Sequence, residues 1–208
     1  MRLLEQSIDR SLQRLKTDYV DILQLHTCSE EKLRQGDVIA IAQKARDAGK
    51  ARYIGYSGDS KAARYAVECG AFDTLQTSVS IADQESIDLT LPLASEKQVG
   101  VIVKRPIANA CWRTGEKPEN GYVHTYWDRL QELDYDFLKG DLTNSIATAL
   151  RFTLGTPGVH SAIVGTANPD RWRKNADLAN QGPLPREQYE AIRAKWKTVA
   201  KPDWTGQA

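Results

Sequence analysis

The run DYVDILQLH, Asp18 to His26, limits most sharply what this chain can fold into. Val20, Ile22, Leu23 and Leu25 place apolar side chains on both faces of an extended segment instead of alternating with polar ones. That pattern predicts a strand covered on both sides, as in a parallel sheet flanked by helices. Just upstream, Leu4, Ile8, Leu12 and Leu15 recur at helical spacing while Glu5, Asp9, Arg10 and Arg14 fall off the stripe, which predicts a helix packed on one side.

The same alternation recurs along the chain. A helix from Asp37 to Ala48, stopped by Gly49, precedes the strand ARYIGYS, Ala51 to Ser57. A helix from Ser60 to Glu68, ending at Gly70, precedes TLQTSVS, and a helix from Ser86 to Gln98, ending at Gly100, precedes VIVKRP. A helix from Thr143 to Leu154, closed by Gly155, precedes a last strand from Ser161 to Gly165.

Five strands alternating with helices predict an α/β chain with a parallel sheet and right-handed crossovers. An open doubly wound sheet binding a dinucleotide would carry a glycine fingerprint after its first strand, whereas HTCSEEK follows Leu25. The expectation is therefore a partial (β/α)8 TIM barrel. A closed barrel takes about 250 residues and eight strands, so five strands imply that three are absent. No internal repeat or linker divides residues 1–208, which read as one domain.

The near-balance of 28 Lys and Arg against 27 Asp and Glu gives no case for nucleic acid or membrane as a partner. Cys28, Cys69 and Cys111, odd in number and widely spaced, suggest neither a disulfide framework nor a metal site and fit a reducing compartment. Charges throughout the first helix exclude a signal-peptide pattern, and no segment reaches the ~18 apolar residues that span a bilayer. A cytoplasmic protein is expected.

In such barrels reactive groups sit at the C-terminal strand ends. His26, Ser57, Gln76, Lys104, Arg105, Gly165 and Thr166 occupy those ends or lie on the strands that lead to them. A histidine there is by itself more often a hydrogen-bonded structural group than a catalyst. After the last strand, Asn168 followed by Pro169 has the form of an N-cap and first helical residue, building a helix N-terminus whose unpaired N–H groups suit an anion.

The segment SLQRLKTDYVDILQLH, Ser11 to His26, closely resembles the signature of the aldo/keto reductase family. The resemblance implies that His26 hydrogen-bonds a substrate carbonyl. GKARYIGYSGDS is similar to the strand ending in Ser-Asn that holds the nicotinamide carboxamide; Ser57 matches, and Gly58 replaces the asparagine. Gln76 stands at the family's carboxamide-binding glutamine, though a strand glutamine satisfied by backbone is also possible. VIVKRPIAN aligns Lys104 with an aromatic residue that stacks on the nicotinamide in many members. Lys104 and Arg105 are then either pyrophosphate contacts or ordinary solvated charges.

AIVGTANPDRWRKN, Ala162 to Asn175, carries the resemblance furthest for a cofactor. It assigns Gly165 and Thr166 to the adenosine phosphate, Arg171 to the 2′-phosphate or adenine face, and Asn175 to the adenine edge. Gly165 departs from a lysine found in part of the family. Arg173 and Lys174, beside Arg171, favour NADPH over NADH or else form a solvated helix face. The long stretch from Pro106 to Thr143, with Trp112, Tyr122, Tyr126 and Trp127, either shapes a pocket or packs an extra helix on the barrel. Tyr189, Ile192 and Trp196 predict a final helix facing the body.

The family's reaction is hydride transfer from NADPH to an aldehyde or ketone with protonation of its oxygen. Its Asp, proton-donating Tyr and Lys belong to strands that would precede Met1, leaving His26 from the tetrad. The chain is thus expected to be an N-terminally truncated reductase, weak or inactive, taking a small carbonyl substrate. Two other readings stay open: a nucleotide-binding protein without turnover, and a Schiff-base enzyme using Lys104. The outer strands should be exposed apolar edges prone to self-association.

Overall fold

A computed structural model of the chain describes residues 2–207. Five parallel strands, β1 (Val20–His26), β2 (Ala51–Ser57), β3 (Thr74–Ser78), β4 (Gly100–Lys104) and β5 (Ser161–Ile163), lie side by side in chain order. Helix α1 (Arg2–Leu15) precedes β1, while α2 (Glu30–Arg34) and α3 (Asp37–Asp47) carry the chain to β2. The next crossovers are α4 (Ser60–Glu68), then α5 (Glu85–Leu89) with α6 (Leu91–Glu96), then α7 (His124–Leu133) with α8 (Leu142–Leu154). Helices α9 (Arg171–Ala179) and α10 (Arg186–Val199) follow β5. Strand order never reverses, so the sheet is a stretch of barrel wall and not a doubly wound sheet.

Register fixes what the wall presents. His26 pairs with Ser57 and Ser57 with Gln76, so these three share one row across β1, β2 and β3. Ser78 pairs with Lys104 and Lys104 with Ile163, forming a second row nearer the strand ends. Beneath the sheet, Leu25, Ile54, Leu75, Val101 and Val103 pack against Leu33, Ala63, Val67 and Leu91 from the helices. A second core gathers Trp112, Tyr126, Leu130, Phe152, Ile192, Trp196 and Trp204 around α7, α8 and α10.

Several expectations need correction. The strand β1 is not covered on both faces: Ile22 is 37% exposed, because β1 has a neighbour on one side only among the described residues. The helix expected from Ser86 to Gln98 is two, broken at Thr90. Pro92 lacks an N–H and its ring crowds the carbonyl one turn back, so a new helix starts there. The last strand ends at Ile163, two residues before Gly165. Asn168 is not the N-cap of α9, which begins at Arg171; its Oδ1 instead accepts from Asp170 N at 2.9 Å, closing a local turn around Pro169. The short helix α2 was unforeseen, having too few residues to show a period.

Candidate active site

At the end of β1 the chain turns sharply: Thr27 has φ of 51° and its N–H donates to the Ser57 carbonyl at 2.8 Å. This leaves the His26 side chain exposed at the mouth, with Nδ1 2.9 Å from the Thr27 hydroxyl. In the same row Gln76 donates through Nε2 to the buried Ser57 hydroxyl at 3.0 Å. A hydroxyl, and not backbone, thus satisfies the Gln76 amide nitrogen. Gly58 has a local cause as well, since a Cβ there would stand 2.5 Å from the Tyr56 hydroxyl. That hydroxyl donates to the Cys28 carbonyl at 2.6 Å, and burial pushes the phenol up to about 12. The asparagine side chain of the resembling motif has no room on this backbone.

Lys104 is not an ordinary solvated charge. Its Nζ lies 2.7 Å from Asp59 Oδ2, with side-chain exposures of 10% and 2%, so the ammonium is paired and largely buried. Asp59 Oδ1 also accepts from Thr77 Oγ1 at 2.9 Å and Ser78 N at 2.7 Å, tying together the ends of β2, β3 and β4. Arg105, left-handed at φ of 58° before Pro106, donates through Nε to Tyr122 Oη at 2.9 Å and through Nη1 to Ser78 Oγ at 3.0 Å.

One cleft of about 930 Å³ at this mouth is lined by His26, Gln76, Lys104, Arg105, Gly165, Thr166, Arg171 and Asn175. The structure therefore gathers every candidate except Ser57, which lies behind Gln76 and orients it. Tyr122 and Asn109 line the cleft too. The aromatic stretch divides accordingly: Tyr126, Leu130 and Leu133 of α7 are buried packing, whereas Tyr122 is 61% exposed at the mouth. Nothing lies within 4 Å of where a Gly165 Cβ would point, and among the described residues no carboxylate comes within ion-pair distance of Arg171.

Behind the cleft lies a buried polar cluster that no local motif announced. Tyr126 Oη donates to Asp83 Oδ2 at 3.1 Å, and the Arg129 guanidinium donates to the Ala82 carbonyl at 3.2 Å. Burial raises the Asp83 carboxyl to about 7, against the opposing attraction of Arg129. The same desolvation lowers Arg129 and raises Tyr126. Asp59 and Asp83 each follow a strand or a tight turn, the one available hint, and nothing in the sequence pairs them with residues so distant.

Among the described residues no helix is long and apolar enough to cross a membrane. Two curated relatives align over nearly the whole chain. One is an uncharacterized oxidoreductase of Bacillus subtilis, 26% identical over 93% of this chain. The other is L-galactose dehydrogenase of Arabidopsis thaliana, 28% identical over 97% of it. The chain spans 66% of the length of each of those two relatives.

Among solved structures, the apo form of an aldo-keto reductase from Bacillus halodurans superposes with a TM-score of 0.78 at 24% identity. The match covers 96% of this chain and 70% of that one. An aldo/keto reductase from Klebsiella pneumoniae, solved with NADP and acetate, matches with a TM-score of 0.64 at 19% identity, covering 96% of this chain and 66% of that one. The five-stranded wall is thus most of the barrel those proteins form. With the family model for aldo/keto reductases matching residues 2–197, the chain belongs to the aldo/keto reductase family.

Proposed function

We propose that the cleft binds NADPH and that the chain's chemistry is reduction of a small aldehyde or ketone to an alcohol. The observation that carries this reading is the single cleft shared by His26 and the Gly165–Asn175 segment, one end suited to a carbonyl and the other to a nucleotide phosphate. The residues fit the cofactor. Gly165 leaves backbone open to close approach, Arg171 offers a guanidinium without a carboxylate partner among the described residues, and Gln76 offers an amide facing the cleft. Bound there, the nicotinamide would supply the hydride.

The protein's own groups do the rest. Gln76, oriented by Ser57, holds the carboxamide end; Gly165, Thr166, Arg171 and Asn175 hold the adenosine end, with Arg171 selecting the 2′-phosphate. His26 Nδ1 lies 2.9 Å from the Thr27 hydroxyl; with Nδ1 as the acceptor of that contact, Nε2 would carry the hydrogen directed at the carbonyl oxygen, favouring the developing alkoxide. Steady-state NADPH consumption with a panel of aldehydes tests the proposal. A slow but saturable rate that disappears in His26→Ala supports it, and absence of NADPH binding refutes it.

A second reading, nucleotide binding without turnover, is favoured by the state of three core tyrosines. Tyr56, Tyr126 and Tyr135 are buried and hydrogen-bonded, and burial raises the pKa of each. None of them is poised to give a proton. NADPH binding with no reduction of any aldehyde would select this reading.

A further inference from the structure

Residues Trp204–Gln207 pack against Lys104 and Arg105, two residues of the cleft lining, a contact neither the family signature nor the proposed cofactor contacts account for. Trp204 is the anchor: it is buried, its ring centroid lies 5.4 Å from that of Trp196, and the Arg129 guanidinium sits over it. From there four backbone groups meet charged or polar side chains. The Thr205 carbonyl accepts from Arg129 Nη2 at 2.8 Å, and the Gly206 N–H donates to Glu85 Oε2 at 2.6 Å. The Gln207 N–H faces Asp83 Oδ2 at 3.4 Å. The Gln207 carbonyl accepts from Arg105 Nη1, from Lys104 Nζ at 3.3 Å and from Ser78 Oγ at 3.4 Å. Gly206 is required by the closeness of this approach, since a Cβ there would stand 2.5 Å from the Asp59 Cβ.

A loop resting on a surface would not place its N–H groups on carboxylates and its carbonyls on cations, nor press a glycine against a buried ion pair. Arg105 and Lys104 both line the cleft, and the Gln207 carbonyl is the group that binds both. We propose that Trp204–Gln207 is a positioning strap of the active site: the Gln207 carbonyl fixes where Arg105 presents its charge to the cleft and thereby sets the grip on the diphosphate of the bound dinucleotide. The ligand named here rests on the cofactor reading above; the positioning of Arg105 does not.

Two variants of the full chain test it. One ends at Trp204, keeping the anchor and removing the strap, and the other is Gly206→Val, which forces the strap off Asp59. Circular dichroism verifies that each is folded. NADPH binding should weaken about tenfold in both, while 2′-phospho-AMP, which lacks the diphosphate, should bind within about twofold of the parent. Unchanged NADPH affinity, or equal loss of both ligands, would overturn the proposal, the latter because it marks general damage. Modification of Arg105 by phenylglyoxal, followed by mass spectrometry, should accelerate several-fold in both variants, and equal rates would overturn the strap whatever the nucleotide data show. A parent chain that binds neither nucleotide refutes the cofactor reading separately, and the arginine rates still decide the strap.

Discussion

Replacing Asp83 with Asn should change how stability depends on pH. Asp83 is fully buried, hydrogen-bonded by Tyr126, and raised from 3.8 to about 7 chiefly by desolvation. A displacement of about 3 pH units at ~1.36 kcal/mol each is worth ~4 kcal/mol between the protonated and ionised forms. Between the unfolded value and about 7 the native chain binds the extra proton. This stabilisation is fully present below the unfolded pKa and is lost as pH rises through the folded one. From pH 5 to 8 the parent should lose roughly 2 to 3 kcal/mol through this group. With a urea m-value of about 2 to 3 kcal/mol/M for a chain of this size, the midpoint should fall by about 1 M. Asp83→Asn keeps an acceptor for Tyr126 and cannot ionise, so its midpoints over the same range should lack that increment. Urea unfolding at pH 5, 6, 7 and 8 decides the matter, and parallel curves for parent and variant would refute the argument.

Lys104→Met should destabilise by about 3–5 kcal/mol, because it strands the Asp59 carboxylate in the interior. The double variant with Asp59→Asn should recover most of that in urea unfolding, and equal losses in single and double would count against a buried pair. His26→Ala should leave the urea midpoint unchanged, the side chain being exposed. It should still cut any carbonyl reduction about 100-fold, with NADPH affinity retained. Arg171→Ala should weaken NADPH about tenfold, or ~1.4 kcal/mol, and leave NADH unaffected in a fluorescence titration. Among the described residues β1 and β5 each have one strand neighbour and expose Ile22 and Ile163; we propose that these edges pair between copies of the chain, which a monodisperse monomer in sedimentation velocity would contradict.

Much of the fold was legible because its causes are local. Largely apolar runs at Val20–Leu25 and Val101–Val103 mark strands of a parallel sheet, and Gly49 and Gly70, both at positive φ, stop the helices before β2 and β3. Such features follow from backbone conformation and side-chain period over a dozen residues, which a sequence states directly. The roles expected of His26, Arg171 and Asn175 came instead from the resemblance of their segments to the family's motifs.

Tertiary structure alone decided the electrostatics of the mouth. Lys104 has the same sequence neighbours whether it grips a phosphate, faces water or pairs with Asp59, and the choice was made by the register that brings the ends of β2, β3 and β4 together. Asp83, Arg129 and Gln207 are likewise unremarkable until folding removes water from among them. The cost of burying a charge without a partner is set by what the rest of the chain places beside it, and no local pattern encodes that.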